Sequence, residues 1–107
     1  MRLTDGWKSS ITKDGETVNF FFRNPTNEET NEFMAKRFEV KEAGQIADNS
    51  PAERAALFDK LLVRVENLEG VDGTPIAGPD RSAEIPAEWK GPIIFKRFED
   101  FKVNEKN

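Results

Sequence analysis

A chain of 107 residues has room for one domain and a modest core. Sixteen basic against 20 acidic residues leave a net charge of −4, which argues against nucleic acid or an anionic membrane as a general partner, since both need a basic field. Cys and His are absent, which excludes disulfides, thiolate metal sites, imidazole bases and every Ser-His-Asp or Cys-His arrangement; only carboxylate or lysine chemistry is left.

Apolar runs are only a few residues long, too short to span a bilayer, and Met1 to Gly6 lacks the apolar region of a signal peptide. The expectation is a soluble, cytoplasmic protein with no membrane partner. From the N-terminus, Ser9 to Lys13 and Glu16 to Arg23 flank Asp14-Gly15, the dipeptide suited to a two-residue turn with positive φ at both positions. A hairpin over about 7–23 follows. Val18, Phe20 and Phe22 alternate toward the core, with Trp7 and Ile11 on the same side of the partner strand. Phe21 lands on the other face, where it is either covered by another segment or open to a partner.

Asn24-Pro25 ends the strand, and Thr26-Asn27-Glu28-Glu29 reads as a capping box for a helix over about 27–38 that presents Phe33, Met34 and Phe38 on one side. Residues 39–49 lack a sustained period and contain Gly44, so they read as a linker with a short extended piece around Val40. Ser50-Pro51-Ala52-Glu53 is a second capping box. It opens a helix over about 52–68, striped by Leu57, Leu61, Val65 and Leu68 and widened by Phe58 and Leu62. Gly70 offers a left-handed stop, and Asp72-Gly73 sets a turn before Pro75, within an ordered loop running to Ile85. Pro86 opens a last helical stretch. Gly91-Pro92 interrupts it, which predicts a turn through Trp89 and a final helix over about 92–101, with Ile94, Phe98 and Phe101 on one face and a frayed tail from Val103.

The fold class is therefore α+β, a single small domain in which an N-terminal β-hairpin packs against about three helices. Its expected core is Phe20, Phe22, Leu57, Leu61, Val65, Ile94 and Phe98.

Candidate chemistry is sparse. Glu28-Glu29, Glu66 with Glu69, and Glu99-Asp100 could be drawn as acid/base or metal pairs, but each suits a solvated helix face or an acidic first turn. Asp72-Gly73 with Asp80 lacks calcium-loop spacing, and Gly70, Gly73 and Gly78 lack the Lys-Ser/Thr of a phosphate cradle. Lys96-Arg97, Lys102 and Lys106 interleave with Phe95, Phe98 and Phe101 as a single-strand binding face would. The acidic neighbours Glu99 and Asp100 favour instead a helix whose basic residues suit its C-terminal dipole. We expect no catalytic residue, no cofactor and no metal. The candidates for contact with a protein partner are Phe21, which points away from the hairpin's core face, and Trp89 and Phe95, which flank the Gly91-Pro92 break.

Three segments also carry a resemblance. Arg23-Asn24-Pro25-Thr26-Asn27-Glu28-Glu29 is similar to the Arg-x-Pro-Thr-x-x-Glu turn of small tail-assembly chaperones of long-tailed bacteriophages and prophages. Val65 to Ile76 resembles their Trp-x-Gly-Val-x-Asp-x-Asp-Gly-x-Pro segment, with Leu68 at the Trp position and a shortened turn before Gly73, and Ile85-Pro86-Ala87-Glu88-Trp89 resembles their proline-led terminal helix. The likeness runs in order over about residues 16–101. It implies binding without catalysis: cover for a helical tape-measure protein and recruitment of tail-tube subunits, with a small structural or connector component of the tail as the alternative and a regulatory binding domain of a mobile element as the third.

Overall fold

The computed structural model describes residues 5–99. Asp100, Phe101, Lys102, Lys106 and the tail from Val103 lie outside the described residues. Asp14 and Gly15 both take positive φ, 54° and 81°, as a two-residue hairpin turn of this kind requires. Across them β1 (Gly6–Lys13) and β2 (Glu16–Arg23) pair antiparallel without a slip, from Lys13 opposite Glu16 to Gly6 opposite Arg23. Val18, Phe20 and Phe22 are buried on the inner face.

The sheet has a third strand, β5 (Leu62–Glu66), in the order β1-β2-β5. Here the expected 52–68 helix is corrected. The helix α2 (Ser50–Leu61) stops at Leu61, and β5 (Leu62–Glu66) begins at the next residue and pairs antiparallel with β2. The ladder sets Phe21 opposite Arg64 but Phe22 opposite Leu62, so Val63 is bulged out and exposed. A bulge breaks period two. Leu62 and Val65, three apart, can therefore both point inward, which imitates helical spacing. The β-branched Val63 and Val65 favour the strand, and the unpaired edge of β2 supplies its hydrogen bonds. The start of α2 also differs from expectation. Ser50 is the first helical residue rather than its cap, and its amide donates to Asp48 Oδ1 at 2.9 Å.

The first capping box forms as read, with Glu29 N donating to Thr26 Oγ1 at 3.1 Å and Thr26 N to Glu29 Oε1 at 2.9 Å. It opens α1 (Asn27–Lys36), which buries Phe33 but ends before Phe38. The extended piece expected around Val40 forms, but residues 39–49 are more than a linker. β3 (Phe38–Val40) and β4 (Ile46–Asp48) form a two-stranded ribbon, turned by one 3-10 turn in which Ala43 and Gly44 have φ of 64° and 77°. Phe38, expected on one side of the helix with Phe33 and Met34, lies beyond the helix and is 50% exposed.

After β5 the left-handed position is Asn67, φ 67°, and not Gly70. The chain then turns back on itself, with Ile76 N donating to Leu68 O at 2.9 Å and Gly70 N to Thr74 O at 2.8 Å around Gly73, φ 83°. Arg81 clasps this turn by donating to Thr74 Oγ1 at 2.5 Å and is itself held by Glu84 at 2.6 and 2.7 Å. Finally α3 (Ala87–Phe98) is one helix, with Pro92 inside it where a break was expected. Pro92 withholds an amide from the Glu88 carbonyl, but both residues are exposed and water can take the amide's place. Burial of Ile93 and Ile94 holds the helix to the core.

That core is continuous. Phe58 of α2 meets Phe20 and Phe22 edge-on, with ring centroids 5.5 and 5.1 Å apart, and Trp7 stacks on Phe22 at 4.1 Å. Of the seven expected core residues, Phe20, Phe22, Leu57, Leu61, Val65 and Ile94 are buried, and Phe98 is partly buried at the margin.

Candidate partner-binding surface

The structure separates the three sequence-predicted contact residues. Phe21 sits on the outer face of the sheet, away from α2 and α3, between its cross-strand neighbours Lys8 and Arg64. The Arg64 guanidinium lies 3.8 Å from its ring centroid and the Lys8 ammonium 5.9 Å, so the ring is half-covered by cations of its own sheet. Trp89 is partly buried against the inner face, edge-on to Phe20 at 6.4 Å. Phe95 is the open one, 42% exposed.

Phe95 belongs to a groove of about 540 Å³ between the start of α2 and the middle of α3. Pro51 and Arg54 line one wall, and Ala87, Glu88, Gly91, Pro92 and Phe95 the other. Gly91 adds no side chain and Pro92 no amide, so the α3 wall is shallow and mostly apolar. Arg54 stacks its guanidinium 5.2 Å from the Phe95 ring.

Arg54 is itself held from beneath. Its Nε and Nη2 donate to the two Glu99 oxygens at 2.7 and 3.1 Å, and Arg37 Nη1 donates to Glu99 Oε1 at 2.8 Å. The Glu99 side chain is only 4% exposed. Burial alone would push its carboxyl up; the hydrogen bonds from Arg54 and Arg37 outweigh this and hold it below the usual carboxylate range. Glu99, read as part of a solvated face, is thus the buried centre of an ion-pair knot. Arg37 in turn lies over Phe33 and Phe38, at 5.8 and 5.4 Å. One carboxylate therefore orders two arginines, and each arginine packs on an exposed aromatic, Phe95 or Phe38.

Phe38 leads to a second apolar surface that the sequence reading missed. On the ribbon, Val40 is opposite Ile46, and Phe38, two residues from Val40, shares that face. These side chains are 50%, 76% and 68% exposed for Phe38, Val40 and Ile46. The signal was present as alternation in Phe38-Glu39-Val40, with Ile46 beyond Ala43-Gly44.

Other charges serve the architecture. Arg23 grips Glu29 with two bonds of 2.8 Å, and these, with the Thr26 amide, lower the Glu29 carboxyl to about 2. Asp72 is lowered to about 2, first by the Thr74 hydroxyl and amide and then by Arg81. Lys90, buried on α3, reaches Asp59 at 2.8 Å. On the basic side, Lys96 and Arg97 are exposed, and Arg97 lies over Trp7 and Phe98 at 5.4 and 5.1 Å.

Among the described residues, no group of three or more acidic side chains is placed to hold a metal ion, and no helix is long and apolar enough to cross a membrane. The geometry offers surfaces for contact: an apolar groove with an aromatic wall, and an apolar ribbon face joined to it through the Glu99 knot. In comparison with known proteins, the chain matches no family model, no curated protein and no solved structure.

Proposed function

We propose that this chain is a non-enzymatic protein-binding factor of the tail-assembly chaperone kind, covering apolar surface on a helical, tape-measure-type partner during assembly. The observation that carries this reading is the open, mostly apolar groove between α2 and α3, with Phe95 standing 42% exposed in its wall. A groove between two helices suits a third amphipathic helix, whose apolar side chains enter at three- and four-residue steps. Phe95 serves as the anchor and the Arg54 guanidinium as a rigid lip. The ordered resemblance of the Arg23–Glu29, Val65–Ile76 and Ile85–Trp89 segments to tail-assembly chaperones supplies the class of partner. Apolar burial drives such binding, so its affinity changes little between low and moderate salt. Co-expression with a tape-measure fragment, followed by pull-down of the parent and of Phe95→Ala, tests it. The parent retains the fragment and the variant loses it while staying folded.

A second reading, a small structural or connector component of a tail, is favoured by the exposed ribbon face of Phe38, Val40 and Ile46, the kind of surface that becomes buried between subunits. Retention of the chain in purified particles would select it over transient chaperoning.

A further inference from the structure

A second concavity, of about 520 Å³, lies between the hairpin turn and the loop that follows β5. Trp89 lines it, together with Ile11 and Val18 of the hairpin and Leu68 and Pro75 of the loop. Around these apolar side chains stand Asp14, Glu16 and Glu69, all exposed, with Asn67, against one basic residue, Lys13. None of these three carboxylates forms an ion pair among the described residues, whereas Glu29, Asp72, Glu84 and Glu99 each hold an arginine. The hairpin tip and the loop thus bring three uncommitted negative charges to the margin of a cleft that contains an indole. An indole face attracts a desolvated cation, and carboxylates accept the planar guanidinium fork in paired bonds.

We propose that this cleft binds an arginine side chain presented by a protein partner, with Trp89 as the stacking surface and Asp14, Glu16 and Glu69 as counter-charges. The site is separate from the α2–α3 groove and does not depend on it. It explains the odd position of Trp89, a large aromatic left partly open beside acidic residues. It also assigns Lys13 a role. Lys13 sits directly opposite Glu16 in the hairpin, so its ammonium is the internal competitor for the same carboxylates.

The test is a titration of the full chain with N-acetyl-arginine amide, read on the Trp89 indole N–H and the Glu16 and Glu69 amides by two-dimensional NMR. N-acetyl-citrulline amide, the neutral isostere, and N-acetyl-lysine amide are run beside it. Arginine is expected to shift these signals saturably, lysine more weakly, and citrulline hardly at all. Glu16→Gln or Glu69→Gln should weaken arginine binding about two- to fivefold, the scale of one exposed ion pair. Lys13→Gln should strengthen it. Each variant's remaining spectrum reports its fold, so a lost response is not confused with unfolding. No saturable shift, an equal response to citrulline, or unchanged affinity in both glutamine variants would overturn the proposal. Phe95→Ala should bind arginine as the parent does; a loss there would place the effect in the groove and also overturn it. Failure of the cleft leaves the groove reading standing.

Discussion

Replacing Glu99 by Gln keeps the shape of the side chain and removes the charge that organises Arg37 and Arg54. The carboxylate is 4% exposed and accepts three bonds of 2.7 to 3.1 Å, while the two arginine side chains are 22% and 23% exposed. Removing one partner of a buried ion pair costs about 3–5 kcal/mol, because the remaining charge is left without its counter-ion. Here the arginines can be partly rehydrated, which puts the expectation at the low end, about 3 kcal/mol. In a domain of this size that corresponds to a melting midpoint roughly 12 °C lower, at about 4 °C per kcal/mol. Thermal and urea unfolding of Glu99→Gln beside the parent would measure it. The pH dependence provides a second reading of the same knot. Because the folded carboxyl is held below its unfolded value, its stabilisation is fully present above the unfolded value of about 4.3 and is lost as pH falls through the lower, folded one. The parent should therefore lose stability on acidification below that point more steeply than Glu99→Gln does. A loss under about 1 kcal/mol, the scale of a solvent-exposed pair, would refute the buried knot.

Leu61, fully buried where α2 meets β5, should cost about 2–5 kcal/mol on truncation to Ala, read as a lower denaturant midpoint with unchanged slope. Glu29 and Asp72, each lowered to about 2, should remain ionised in a carboxyl-carbon NMR titration at a pH where ordinary carboxylates, near 4, are half protonated. Val40→Thr and Ile46→Thr, on the exposed ribbon face, should each change stability by no more than about 0.5 kcal/mol, whereas a larger loss would show that this face is covered in solution.

The parts of the fold legible in the sequence are those whose causes are local. Asp14-Gly15 demands its turn, the alternation of Val18, Phe20 and Phe22 demands one buried face, and Thr26 with Glu29 closes a cap within four residues. The errors have a different origin. Leu57, Leu61 and Val65 keep a four-residue step through the junction of α2 and β5, because the bulge at Val63 restores by accident the spacing that a strand would break. Phe38 has the spacing of the next turn of α1, but the backbone beyond Lys36 pairs in a ribbon instead, the Arg37 carbonyl accepting from Asn49 N at 2.7 Å. Gly91-Pro92 reads as a break in any local rule, yet burial of Ile93 and Ile94 outweighs one missing hydrogen bond. The candidate surface was the least legible part. Phe95 could be named as a candidate from its place beside Gly91-Pro92, but Glu99 meets Arg37 and Arg54 across 62 and 45 residues, and no spacing rule links positions so far apart.

The proposed function stands on binding of an apolar helix in the α2–α3 groove through Phe95. Calorimetric titration of a helical tape-measure fragment into the parent and into Phe95→Ala tests it most directly. Saturable binding to the parent is expected, little altered by moderate salt, and at least about tenfold weaker binding to the variant, the loss of an anchor worth about 1.4 kcal/mol, with the variant's unfolding midpoint unchanged. Equal affinity for the two proteins, or no binding to either, would contradict it.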